Sequence, residues 1–363
     1  MSLSGTMVRM ATVALVATKM AMTMSGAALA QPLPADQAAL YEKAKVEKKV
    51  TFYMGSPADP MKRFIGAFEK RYPGVTVEFV RLVGTQLSQR FMQEYNAKQY
   101  IADIVLIADM PALREMVRLG AIAKWKVPSD ARFEAQYKFE GAAYAPYLTN
   151  MSLVYNKNKL NAEEIKLLRS GGWNAVTDPR FRGRFAASPI ACGICYAGVQ
   201  MFLATPGYGE AFLKKVADNK PVVFASTVVG LDRVIAGEVG FIFWSFENAA
   251  LPAFQSGAPI EWIHPEPTAA LPNSWLGLAE RGPAPNGARL FMNWFLSEEG
   301  ARSVQEELGA QSTISGVPDR RAVTKQPWYN RISKKYTVDF ERWDAKYDSE
   351  MKIWQDILAG RAK

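Results

Sequence analysis

From Lys49 onward the apolar positions alternate between two periods. Val50, Phe52 and Met54 recur every second residue, as in a half-buried strand. Ser56-Pro57-Ala58-Asp59 breaks that pattern. Asp59 is a good helix N-cap, and Pro60 would then occupy the first helical position, where its missing N–H is harmless. Phe64, Ile65 and Phe68 mark one buried helix face, Pro73-Gly74 ends it, and Val75, Val77 and Phe79 open a second strand. The stretch therefore predicts strand, loop, helix, strand. Its first loop presents a helix N-terminus at the carboxyl edge of a parallel sheet, where open α/β sheets bind ligands.

The alternation continues along the chain, which predicts an α/β architecture. Asp103 to Ala108 reads as a buried parallel strand, and Asp109-Met110-Pro111 opens a helix that Gly120 closes. Tyr144 to Asn156 is a long extended stretch, read as a first crossover between two lobes. Strands are expected at Gly183 to Ser188, Val222 to Ala225 and Val239 to Trp244. Helices are expected from near Ile194 to Ala204 and from Ser226 to Ala236. Pro259 to His264 is short and extended, and is read as the return crossover. Pro283 to Leu308 predicts a helical hairpin, and Trp328 to Leu358 carries aromatic residues at helical spacing. Two crossovers make both lobes discontinuous: 31–146 with 267–312, and 147–266 with 313–363.

The opening stretch resembles the start of periplasmic solute-binding proteins of ABC importers, in the branch holding ferric-iron, thiamine, polyamine and phosphonate binders. The resemblance continues through Ala102-Asp103-Ile104-Val105, Pro146-Tyr147-Leu148-Thr149 and Leu153-Val154-Tyr155-Asn156-Lys157. Gly237-Glu238-Val239-Gly240 and Trp294-Phe295-Leu296-Ser297-Glu298-Glu299-Gly300 follow in order. It implies a two-lobed type II periplasmic binding fold with lobes joined by two crossover strands. The lobes would close on a ligand by hinge bending. It also implies an inner-membrane ABC permease as partner, and a ligand-contacting role for Tyr147.

Composition fits that picture. With 49% hydrophobic and 22% charged residues, the 363-residue chain is globular and long enough for two domains. Its formal charge of +9 is spread without long basic runs, which argues against nucleic acid. Residues 1–30 hold Arg9, an apolar run and the small-residue site Ala28-Leu29-Ala30, the pattern of an export signal removed before Gln31. A monomer in the periplasm is the expectation. Cys192 and Cys195 are the only cysteines. In an oxidising compartment they read as a local disulfide; free thiols and a redox or metal role are the alternatives.

The candidate ligand contacts are the strand-end loops. The first lobe offers Ser56, Ala58, Asp59, Ala108 and Asp109, and the crossover offers Tyr147. The second lobe offers Ser188, Ile190, Cys192, Gly193, Ser226, Thr227, Trp244, Ser245, Glu247 and Asn248. Several have a second reading: Asp59, Asp109 and Ser226 as helix caps, Trp244 as core. Hydroxyls and helix N-termini suit carboxylate or phosphonate, whereas Asp59, Asp109 and Glu247 beside Trp244 and Tyr147 suit an ammonium group. A zwitterion would satisfy both.

Ferric-iron members of the resembling branch hold the metal with paired tyrosines shortly after the motif matching Gly237 to Gly240. Here that window, Phe241 to Asn248, has no tyrosine. Iron is therefore the alternative, and a small polar organic solute (amine, zwitterion, phosphonate or thiamine-like) the main reading, with no cofactor or bound metal. An enzyme is disfavoured: His264 is the only histidine, and no GxSxG, P-loop or HExxH motif occurs.

Overall fold

The strand Lys49–Met54 pairs in parallel with Thr76–Arg81 on one side and Ile104–Ile107 on the other, with Phe52 opposite Phe79 and Ile104. These three strands form the parallel part of the first sheet in the computed structural model, which describes residues 33–82, 85–189, 195–272 and 274–361. Among the described residues there are two sheets, of seven and eight strands. Each has its own apolar core. The expected two-lobed α/β architecture is the one observed.

The first sheet continues from Ile104–Ile107 to the antiparallel strand Trp275–Ala279, then Ala143–Tyr144 and Lys138–Phe139. The helices Ala58–Arg71 and Pro285–Phe295 bury Phe64, Phe68 and Phe291 against it. The second sheet is built around Tyr147–Asn156, every residue of which is buried. Phe241–Phe246 and Ile260–Ile263 pair antiparallel with its second half, and Phe185–Ala187 and Val222–Val223 extend the sheet.

Tyr147–Asn156 is the crossover. Tyr147 and Leu148 pack in the first core, whereas Met151, Leu153 and Tyr155 pack in the second. The return path differs from expectation. Residues 259–264 hold a strand of the second sheet, with Ile263 opposite Leu153. The return crossing is instead Thr268–Pro272, which pairs with Leu148 to Asn150; Ala270 faces the first core, while Ala269 and Leu271 face the second. A third short strand, Gln311–Ser312, pairs with Tyr147 and Leu148. Both candidate segments are short, apolar and extended, so only pairing distinguishes them.

Local capping follows sequence rules with one shift. Asp109 caps Met110–Arg118 by accepting from the Ala112 N–H at 3.2 Å, and Ser226 caps Thr227–Ile235 by accepting from Val229 at 3.2 Å. Asp59 is not a cap. The helix begins at Ala58, the N-cap is Pro57, and no side chain caps it. Pro60 is then the third helical residue, where an N–H also has no intrahelical acceptor, so the earlier start costs nothing.

Candidate functional site

The carboxyl edges of the two sheets carry the loops expected to bind. In the first lobe, the loop after Lys49–Met54 brings Ser56 to the crossover, with its hydroxyl 3.3 Å from the Tyr147 hydroxyl. Arg81, at the end of the neighbouring strand, donates from Nε to the Ser56 carbonyl at 3.0 Å. Arg81 is exposed, and sequence reasoning passed over it. The available signal was its place at the carboxyl end of a parallel strand.

The uncapped start of Ala58–Arg71 lies beside this trio. Its first-turn N–H groups carry the positive end of the helix dipole. Ala58 is half-buried, and the Asp59 side chain is 85% exposed and 4.0 Å from Lys62. The Asp109 carboxylate serves its own helix, and Ala108 beside it is exposed.

In the second lobe, Ser188 is buried and its carbonyl accepts from the Trp354 indole at 2.9 Å. Ser226 serves as a cap, and the Thr227 hydroxyl lies 4.0 Å from the Cys195 sulfur. Cys195 is disulfide-bonded. Ile190, Cys192 and Gly193 lie outside the described residues. Ser245 is buried opposite Ser152 of the crossover.

Two second-lobe expectations change. Trp244 is a core residue, 4% exposed, with its ring centroid 4.6 Å from Phe243, 5.2 Å from Trp354 and 5.8 Å from Phe202. Glu247 is 2% exposed and already paired. Its Oε1 accepts from Arg321 Nη1 at 2.8 Å and its Oε2 from Asn150 Nδ2 at 2.9 Å, with His264 Nε2 at 3.5 Å. Burial alone would raise its pKa, but His264, Arg321 and Asn150 outweigh that and bring it down to about 2. Arg321 in turn binds Asp319 and the Tyr329 hydroxyl. A free carboxylate for an ammonium ligand is therefore not what Glu247 supplies.

Asn248, next along, is exposed, and its Oδ1 accepts from the Thr149 hydroxyl of the crossover at 2.5 Å. That bond uses the amide's acceptor and leaves its N–H groups as donors. The groups that converge on the crossover are thus mostly donors: Ser56, Tyr147, Arg81 and Asn248. Among the described residues no cluster of three or more His, Cys, Asp or Glu could hold a metal ion.

Two lobes joined by shared strands, with loops of both at the junction, define a two-lobed binding protein. A family model for bacterial extracellular solute-binding proteins matches residues 50–307, and the chain belongs to that family. Its members capture solutes for ABC importers and are not enzymes. The fold is similar to that of iron-bound HitA from Pseudomonas aeruginosa (TM-score 0.65, 18% identity, covering 85% of this chain and 99% of that one). It is also similar to AfuA from Actinobacillus pleuropneumoniae with fructose-6-phosphate bound (TM-score 0.62, 19% identity, 86% and 98%). The ferric binding protein of Campylobacter jejuni is a third (TM-score 0.64, 16% identity, 85% and 99%). No curated protein matches the chain. Among the described residues no helix is long and apolar enough to cross a membrane.

Proposed function

We propose that the chain is the periplasmic capture component of an ABC importer for a small organic solute with an acidic head, a carboxylate, phosphonate or phosphate ester. The carrying observation is the donor set at the crossover: the Ser56 and Tyr147 hydroxyls 3.3 Å apart, Arg81 bound to the Ser56 carbonyl, and an uncapped helix start beside them. Helix N-termini and guanidinium groups both favour anions. The amine and zwitterion readings lose support because Glu247 is neutralised within the protein, Asp109 serves as a cap and Asp59 is turned out. Hinge closure would desolvate the head group against these donors and hand the loaded form to the permease.

Ferric iron is the second reading, because HitA and the Campylobacter protein are described as iron-binding. At 16–18% identity those likenesses speak for the fold, not the cargo. A hard ferric ion asks for several anionic oxygen ligands, and Tyr147 alone is a poor set. A thermal-shift screen with organic acids, phosphonates, sugar phosphates, amines, thiamine and ferric citrate tests the choice. Acidic solutes should raise the melting temperature with the logarithm of concentration, by about 2.7 kcal/mol of stability at a hundredfold excess over the dissociation constant. A response confined to amines, or to iron, would refute the acidic-head reading.

A further inference from the structure

The helix Phe340–Leu358, 19 residues long, touches both lobes. Its C-terminal half belongs to the second lobe. Met351, Trp354 and Ile357 are buried in that core, and the Glu350 carboxylate accepts from the Tyr196 hydroxyl at 2.7 Å. The Trp354 indole donates to the Ser188 carbonyl at 2.9 Å and the Gln355 amide to the Pro189 carbonyl at 3.3 Å. That end therefore holds the strand-end loop of the second lobe.

The other end reaches the first lobe. Phe340 packs against both cores, and its ring lies 6.2 Å from Trp275 at 70°. Trp275 sits opposite Ile107 in the first sheet, at the strand end that leads to Asp109. Asp344, one turn further along, forms an ion pair with Arg114 on the helix that Asp109 caps. Both partners are 37% exposed. The strand Lys335–Tyr336, just before the helix, is fixed on the return crossing at Thr268 and Ala269.

We propose that residues 335–358 form a strap between the lobes, which holds them in the arrangement described and must slip when the hinge moves. Bending about the crossover strands displaces Arg114 and Trp275 relative to a helix fixed to the second lobe. The Arg114–Asp344 pair and the Phe340–Trp275 contact cannot both survive a large rotation. The strap thus biases the hinge equilibrium from a place outside the solute contacts, and it does so whichever solute binds.

The test uses the full ligand-free chain, so its outcome does not depend on the solute. Spin labels at the exposed positions Lys70→Cys and Glu163→Cys report the distance between lobes by electron–electron resonance. Wild type should give a narrow distribution. Asp344→Arg should broaden it, with the population of the strapped arrangement falling by about two- to fivefold, the range of an exposed ion pair. Raising the salt should mimic that variant. The charge swap Arg114→Asp with Asp344→Arg should narrow the distribution again. Phe340→Ala should broaden it independently, with circular dichroism confirming the fold. Distributions of wild-type width in Asp344→Arg and Phe340→Ala would overturn the strap, as would a swap that fails to restore the width.

Discussion

Arg321 places Nη1 2.8 Å from Glu247 Oε1, seventy-four residues earlier, and both side chains are at most 3% exposed. The pair joins the segment after Gln311–Ser312 to the first turn of the helix Glu247–Gln255. It carries a pH dependence. Glu247 is brought from 4.5 down to about 2 in the fold, so between those values the group binds fewer protons folded than unfolded. Its contribution is present above pH 4.5 and is lost as pH falls towards 2. The size is on the order of 3 kcal/mol. Acid unfolding monitored by tryptophan fluorescence should show that loss. Glu247→Gln should flatten the curve in this window, and an unchanged acid limb would count against the pairing.

Removing Arg321 should be worse than removing both partners. Arg321→Met leaves the buried Glu247 carboxylate without its guanidinium partner, with only Asn150 and His264 beside it, which costs about 3–5 kcal/mol. Adding Glu247→Gln to that variant should recover part of the loss in urea denaturation. A Glu247→Gln change that costs as much in the Arg321→Met background as in the wild type would show the two charges to be uncoupled.

Trp244 should behave as a core residue. Its contacts with Phe202, Phe243 and Trp354 place it within the second lobe's aromatic cluster. Trp244→Ala should lower stability by about 3–5 kcal/mol, seen as a lower denaturant midpoint. Full stability combined with weaker solute binding would return it to the cleft wall.

The capping residues were legible because a cap is a local event. Asp109 and Ser226 each accept from a backbone N–H three residues away. Asp59 failed as a cap because the choice between Pro57 and Asp59 as the helix boundary turns on backbone geometry that residue types do not encode. The parallel strands were legible from the alternation at Val50, Phe52 and Met54. The return crossing was not, since Ile260–Ile263 and Thr268–Pro272 carry similar patterns and differ only in what they pair with. The pairing of Glu247, and the choice between the two readings of Trp244, were hidden for the same reason. Their partners Arg321 and Trp354 lie far along the chain, Trp354 in the tail read only as helical and Arg321 in the segment before it. Ser56 and Tyr147 were named separately, but their meeting across ninety-one residues appears only in the fold.

The disulfide expectation has a direct check. Cys195 is disulfide-bonded, and Cys192 is the only other cysteine in the sequence. Alkylation of the denatured chain should add two labels only after reduction. Closing so short a loop restrains the unfolded chain little, so replacing both cysteines by serine should cost about 2 kcal/mol and leave the protein folded.

Arg81 and Tyr147 should separate charge from hydrogen bonding in solute capture. Tyr147→Phe removes one neutral hydroxyl donor beside Ser56 and should weaken binding of an acidic solute about three- to tenfold, the range of one such bond. Arg81→Gln removes a charge-assisted donor, worth about 1.5–3 kcal/mol, and should cost about ten- to 150-fold. The Arg81 effect should shrink as salt rises, because its side chain is exposed and screened. The Tyr147 effect should not, because that residue is 5% exposed and its loss leaves the charge balance unchanged. Calorimetry at two salt concentrations measures both. Arg81→Gln binding at wild-type strength would remove the guanidinium from the site. A visible charge-transfer colour on ferric titration that Tyr147→Phe abolishes would instead make the phenol an iron ligand.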